Sequence, residues 1–173
     1  EQIDSTYPEG SYALQFTSNH DENSWNGTVY ERLGDAVKTF AVLSFTVPGM
    51  PLIYSGQEVG LNKRLEFFEK DEIDWTHDPA MTEFYQKLID LKQENPALWN
   101  GADGGGIEFL ENTNHKNLLA FAREKDSNVV MVLMNLSGET INSTVKAGTQ
   151  SFTEYFSGNK TEENGDLVVE LKP

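Results

Sequence analysis

The chain changes character at one point, near residue 97, and that change limits its architecture more than any other feature. Upstream, apolar residues alternate between strand-like runs and helical spacing; downstream, helical spacing vanishes and short strand-like runs remain. Strand alternating with helix builds a parallel sheet covered by helices, whereas runs of strands separated by turns build antiparallel sheets. The expected fold class is therefore α/β followed by all-β, with units at 1–97 and 98–173.

In the first unit, Ala13–Thr17, within a strand-like run at 12–18, reads as a buried strand. Thr28-Val29-Tyr30-Glu31 has the form of a capping box, in which hydroxyl and carboxylate each accept a backbone N–H of the other residue. Leu33, Ala36, Val37, Phe40, Ala41 and Ser44 then fall on one helical stripe, which stops at Val47-Pro48-Gly49. Pro51–Ser55, ended by Gly56, reads as a strand buried on both faces of a parallel sheet. A charged run from Lys63 to Asp74 leads to Asp78-Pro79, an N-cap with proline at the first helical position. Met81, Phe84, Tyr85, Leu88 and Leu91 keep helical spacing until Asn95-Pro96.

The second unit contains the runs Ile107–Glu111, Leu118–Arg123, Val129–Asn135, Thr140–Val145, Phe152–Phe156 and Leu167–Leu171, the pattern of an antiparallel β-sandwich. Gly104-Gly105-Gly106 reads as a surface turn. Trp75 and Trp99 border the second helix and are expected to anchor one unit to the other; His77 and His115 stand apart, without metal-ligand spacing.

Charge narrows the partners. With 28 acidic and 13 basic residues the formal charge is −15, which repels phosphate backbones and anionic lipid surfaces, so no nucleic-acid partner is expected and neutral ligands are favoured. No apolar run approaches the roughly 20 residues that span a bilayer, so membrane insertion is not expected. The absence of cysteine removes thiolate catalysis and cysteine-ligated zinc but identifies no compartment.

Three titratable side chains stand out by position. Asn19-His20-Asp21 ends the first strand, and Ser55-Gly56-Gln57-Glu58 ends the second. α/β folds place their chemistry in the loops that follow parallel strands, so His20, Asp21 and Glu58 are expected on one rim. A lone histidine and carboxylate are also ordinary loop and capping residues before a helix.

These segments resemble a known family. Phe16-Thr17-Ser18-Asn19-His20-Asp21 is similar to the strand-seven motif of the α-amylase family of glycoside hydrolases (glycoside hydrolase family 13), and Gly49-Met50-Pro51-Leu52-Ile53-Tyr54-Ser55-Gly56-Gln57-Glu58 resembles its strand-eight motif. Phe67–Trp75 resembles the segment before the last barrel helix. The resemblance implies that 1–97 forms the last two βα units of a (β/α)8 TIM barrel, about a quarter of it, and that 98–173 forms the β-sandwich called domain C, lacking its last strand.

It further implies an α-glucan-active, retaining glycosidase acting on starch or maltooligosaccharides. Asp21 would be the carboxylate that stabilises the transition state, and His20, Asn19, Trp25 and Arg64 would bind substrate, with Glu58 and Tyr54 as structural support. Trp25 either stacks on a sugar face or packs under its loop, and Arg64 with Lys63 either lines an outer subsite or forms a solvated charge run.

The family's nucleophile and general acid belong to earlier strands and have no counterpart here, so the chain alone is expected to be inactive. Open strand edges and apolar faces such as Leu33, Val37 and Phe40 are expected to drive self-association or pairing with the rest of the barrel. No metal or cofactor is expected in this chain, although the resemblance leaves room for calcium in the parent enzyme. It favours a periplasmic or extracellular location, with cytoplasmic open. A transglycosidase and a non-catalytic carbohydrate-binding or interaction fragment are the alternative readings.

Overall fold

The computed structural model describes residue 8 and residues 11–173. Strands β1 (Leu14–Phe16) and β2 (Met50–Leu52) pair in parallel, with Leu14 opposite Met50 and Phe16 opposite Leu52. Between them run α1 (Val29–Leu33), a tight turn at Gly34–Ala36, and α2 (Val37–Thr46). The capping box forms as the sequence predicts: the Thr28 hydroxyl accepts from the Glu31 N–H at 3.1 Å, and the Glu31 carboxylate accepts from the Thr28 N–H at 2.7 Å. The expected continuous helix is broken at Gly34, whose φ of 55° lies outside helical space. Helix α3 (Pro79–Glu94) starts at Asp78, whose carboxylate accepts from the N–H groups of Ala80 and Met81 at 3.0 and 3.2 Å, and it stops before Pro96.

Helices α2 and α3 close one core through Val37, Ala41, Phe45, Met81, Tyr85 and Leu88. Val37 is therefore dry, against expectation, while Phe40 remains 36% exposed. The two strands depart further from the sequence reading. β2 is shorter than Pro51–Ser55 and begins one residue earlier, and Leu14, Phe16 and Met50 are more than 40% exposed. A two-stranded sheet leaves one edge of each strand open and cannot bury both faces. The ladder stops at Leu52, and the Gln57 and Glu58 side chains then accept the N–H groups of Tyr54 and Gly56, each at 2.8 Å, turning the chain away from the strand direction.

In the second unit β3 (Gly106–Phe109), β4 (Leu118–Lys125) and β5 (Asn128–Asn135) form an antiparallel sheet in that order. β6 (Ile141–Thr153) and β7 (Lys160–Leu171) form a long hairpin, so the runs expected at 140–145 and 152–156 merge into one strand, with a register shift between Lys146 and Gly148. Leu118 and Ala120 pack on Ile141 and Val145 between the two sheets. The opposite face, through Phe121, Val132 and Met134, packs on Val42 and Leu43 of α2, so the β3–β5 sheet belongs to both units' cores.

One side chain ties the units together. Arg123 of β4 is 1% exposed and donates to the carbonyls of Thr46, Val47, Leu98, Trp99 and Gly105 at 2.8 to 3.3 Å. No carboxylate pairs with it among the described residues; carbonyl dipoles, including those at the end of α2, replace its hydration, and burial lowers its pKa. The triglycine beside it is not a free surface turn. A Cβ at Gly104 would lie 1.8 Å from the Trp99 carbonyl oxygen, and one at Gly105 would lie 2.2 Å from that of Glu124, so neither position has room for a side chain. Trp75 is 56% exposed, more than an anchor between the units requires, whereas Trp99 donates its indole N–H to the Gln93 carbonyl at 3.1 Å and lines a cleft of about 530 Å³ with Ile53, Ile89 and Lys92.

Candidate functional site

The loops after β1 and β2 meet at the carboxyl ends of those strands. In the first, the Asn19 side-chain oxygen accepts the Glu22 N–H at 2.8 Å and caps a π-helical turn over Glu22–Asn26. That turn presents Asn23 and Ser24 to the second loop. Asn23, 6% exposed, donates to the Lys63 carbonyl at 3.1 Å and accepts from the Leu65 N–H at 2.7 Å, and the Ser24 hydroxyl donates to the Leu65 carbonyl at 2.7 Å. Thr28 adds a hydroxyl bond to Asn62 at 2.6 Å. Arg32 binds the carbonyls of Thr17 and Gly27 and the Glu22 carboxylate, holding the strand end to its own loop. Asn23 and Ser24 are thus the clasp between two loops.

His20 and Asp21 project from this rim into solvent. The imidazole Nε2 lies 3.5 Å from the Asp21 Oδ2, and the two side chains are 66% and 61% exposed. The His20 ring packs at 5.7 Å from the Phe67 ring of the second loop. Trp25 is 58% exposed and is not packed under its loop; its ring lies 5.2 Å from Phe67 and 6.3 Å from Phe68. Arg64 is engaged with Glu31 of the capping box at 2.8 and 3.2 Å, an arrangement that lowers the Glu31 pKa and raises that of Arg64, chiefly through the side-chain hydrogen bond. Lys63 is bound to Asp71, whose pKa the lysine lowers. Lys63 and Arg64 are therefore both paired with carboxylates, whereas Lys70 of the same loop is exposed without an ion pair among the described residues.

Support beneath the rim comes from a residue the sequence reading passed over. Gln57, 7% exposed, donates to the Thr17 hydroxyl of the first strand end at 2.7 Å and to the Tyr85 hydroxyl at 3.3 Å, while accepting from the Tyr54 N–H. It joins both strand ends and α3. Burial pushes the Tyr85 phenol well above its ordinary value, so it stays protonated as a neutral partner. Glu58 is only partly buried; its carboxylate accepts the Gly56 N–H and its carbonyl accepts from Thr82 at 2.8 Å. Nothing in the sequence separated Gln57 from Glu58 except the closeness of a glycine on either side: Gly56 and Gly60 have φ of 97° and 68°, bracketing a tight turn.

Chemically, the rim offers a carboxylate that accepts and an imidazole that donates or accepts, both open to a polyol. One carboxylate cannot serve as both nucleophile and acid in glycoside cleavage. Among the described residues no group of three or more His, Asp or Glu side chains is placed to hold a metal ion.

Comparison with known proteins addresses the family and the fold. The family model of the α-amylase catalytic domain covers residues 1–134, and that of the maltogenic amylase C-terminal domain covers 107–173. The α-amylase MalA of Haloarcula japonica is 28% identical over 162 residues, covering 92% of this chain and 23% of the relative. A maltogenic α-amylase, AmyB, from Thermotoga neapolitana superposes with a TM-score of 0.78 at 18% identity, over 97% of this chain and 41% of that one. An α-amylase from Geobacillus thermoleovorans, solved with acarbose, superposes at 0.71 with 19% identity, over 92% and 37%. The chain thus spans about a quarter of the length of the curated relatives it matches.

Proposed function

Since the chain belongs to the α-amylase family of glycoside hydrolases, whose catalytic-domain model matches residues 1–134, we propose that it supplies one part of an α-glucan-cleaving active site. The observation that carries this reading is the parallel pair β1–β2 presenting His20 and Asp21 side by side at its carboxyl end. In this reading residues 1–97 are barrel and 98–173 are domain C. Asp21 accepts hydrogen bonds from sugar hydroxyls, and His20 donates to a neighbouring hydroxyl. As positive charge develops on the ring in an oxocarbenium-like transition state, the carboxylate's attraction rises, so its contribution falls mainly on turnover. Asn19 positions the pair by capping the turn that follows, and Gln57 keeps the two strand ends in register.

The nucleophile and general acid are contributed by polypeptide outside these residues, and the 173-residue chain alone does not hydrolyse maltooligosaccharides. The acarbose held by the Geobacillus relative supports an α-glucan as the ligand class. Hydrolysis and glycosyl transfer share the step that Asp21 serves and differ in the acceptor that follows. Separated from the remaining barrel, the chain associates through the exposed apolar residues Leu14, Phe16 and Met50; a light-scattering mass of one chain at all concentrations would contradict this. Amide chemical shifts during titration with maltoheptaose test the ligand site. Perturbation around Asp21 and Trp25 is expected, whereas perturbation confined to 99–173 would favour a carbohydrate-binding module instead.

A further inference from the structure

We propose that Phe68, with Phe67 and Trp25, forms an aromatic platform that stacks on glucosyl rings beyond the His20–Asp21 subsite and favours longer α-glucans. The inference rests on the function proposed above for Asp21 and His20. Phe68 is 82% exposed and Trp25 58%, a contiguous apolar patch of the kind that marks a binding surface.

The patch is continuous with the candidate site. His20 packs on Phe67 at 5.7 Å, Trp25 on Phe67 at 5.2 Å, and Phe67 meets Phe68 at 4.8 Å with rings inclined by 73°. The row therefore runs from the imidazole outward across two loops. It is also pre-organised. Phe67 and Phe68 sit on a turn whose ends are tied by Asp71, which accepts the N–H groups of Glu66 and Glu72 and binds Lys63. Asn23 and Ser24 hold the same turn at Leu65 to the loop that carries Trp25. A platform already fixed in place loses little entropy when a ligand settles on it.

The chemistry selects the occupant. Lys63 and Arg64 are paired with Asp71 and Glu31, and the remaining cation, Lys70, is outnumbered by Glu66, Glu69 and Glu72 around the rings, so an anionic ligand is disfavoured. A neutral ring with an apolar C–H face and a rim of hydroxyls satisfies both the aromatic faces and the surrounding carboxylates.

The test compares maltoheptaose with maltotriose in the full-length polypeptide that carries this segment. Stacking of about 1 kcal/mol per ring corresponds to about a fivefold change. Phe68→Ala is expected to lower the ratio of kcat/KM for maltoheptaose over maltotriose about fivefold, with Phe68→Trp restoring it. An unchanged ratio would overturn the platform. So would an equal loss on both substrates with a lowered melting temperature, which would mean that further polypeptide covers the patch. Asp21→Asn, measured in parallel, separates the two levels: retained turnover in that variant overturns the underlying site, and with it the platform. Lost turnover combined with an unaltered length preference in Phe68→Ala overturns the platform alone.

Discussion

Replacing Arg123 with alanine should uncouple the two units. The guanidinium makes three short bonds, from Nε and Nη2 to the Gly105 carbonyl at 3.0 and 2.9 Å and from Nη2 to the Trp99 carbonyl at 2.8 Å, besides longer ones to Thr46, Val47 and Leu98. Hydrogen bonds to a charged group contribute roughly 1.5 to 3 kcal/mol each, so the three short ones sum to about 4.5 to 9 kcal/mol before offsets. Removing a buried charge also removes its desolvation cost, several kcal/mol, while the truncated side chain leaves a cavity between the sheet and α2. The net loss should be about 3 to 5 kcal/mol, comparable with much of the roughly 5 to 15 kcal/mol that holds an ordinary domain together. Urea unfolding followed by circular dichroism provides the assay, with the midpoint and slope both recorded. Arg123→Ala should lower the midpoint and split or flatten the transition as the units melt separately. Arg123→Lys should fall between, because one ammonium cannot reach Gly105 and the end of α2 together. An unfolding free energy, from midpoint and slope together, within about 0.5 kcal/mol of the parent chain, the range of ordinary surface substitutions, would refute the keystone role.

Two further predictions concern the same region. Gly105→Ala should destabilise the chain strongly, because its Cβ would lie 2.2 Å from a backbone oxygen, whereas Gly106→Ala meets nothing within 4 Å and should be tolerated; equal melting temperatures for the two variants would contradict the packing described here. Lys92, which donates to the Leu98 carbonyl, has its pKa lowered by burial from 10.5 to about 8, with Arg123 adding to the shift. Between those pH values the unfolded chain binds more protons than the folded one, so this group adds stability as pH rises from about 8 to about 10.5 and adds nothing further below or above. The parent chain should therefore gain on Lys92→Met across that window in urea melts, and parallel pH curves would contradict the burial of the ammonium.

Locally determined features were legible in the sequence. The capping box at Thr28, the N-cap at Asp78 and the stops before Gly49 and Pro96 depend on residues a few positions apart, and each forms where the spacing places it. The pairing of the two short strands also followed, because a strand–helix–strand order leaves parallel pairing as the simple solution. What escaped depends on partners far along the chain. The burial assigned to β1 assumed neighbours on both sides, the merging of two runs into β6 depends on its hairpin partner β7, and Arg123 reaches carbonyls 76 and 77 residues away. At the candidate site, the placement of His20 and Asp21 together on the rim was legible from type and position. Gln57 was not, since its importance lies in bonds to Thr17 and Tyr85 that no local pattern announces. Trp25 was left between two roles by sequence, and its exposure beside Phe67 and Phe68 favours the outward one.

The account stands most directly on Asp21. If the segment acts within a complete barrel as proposed, release of reducing sugar from maltoheptaose by that enzyme should fall about 10² to 10³-fold in kcat for Asp21→Asn, with the change in KM small by comparison and the melting temperature unchanged for a side chain 61% exposed. Turnover within a few fold of the parent enzyme would show that this carboxylate does not serve the transition state.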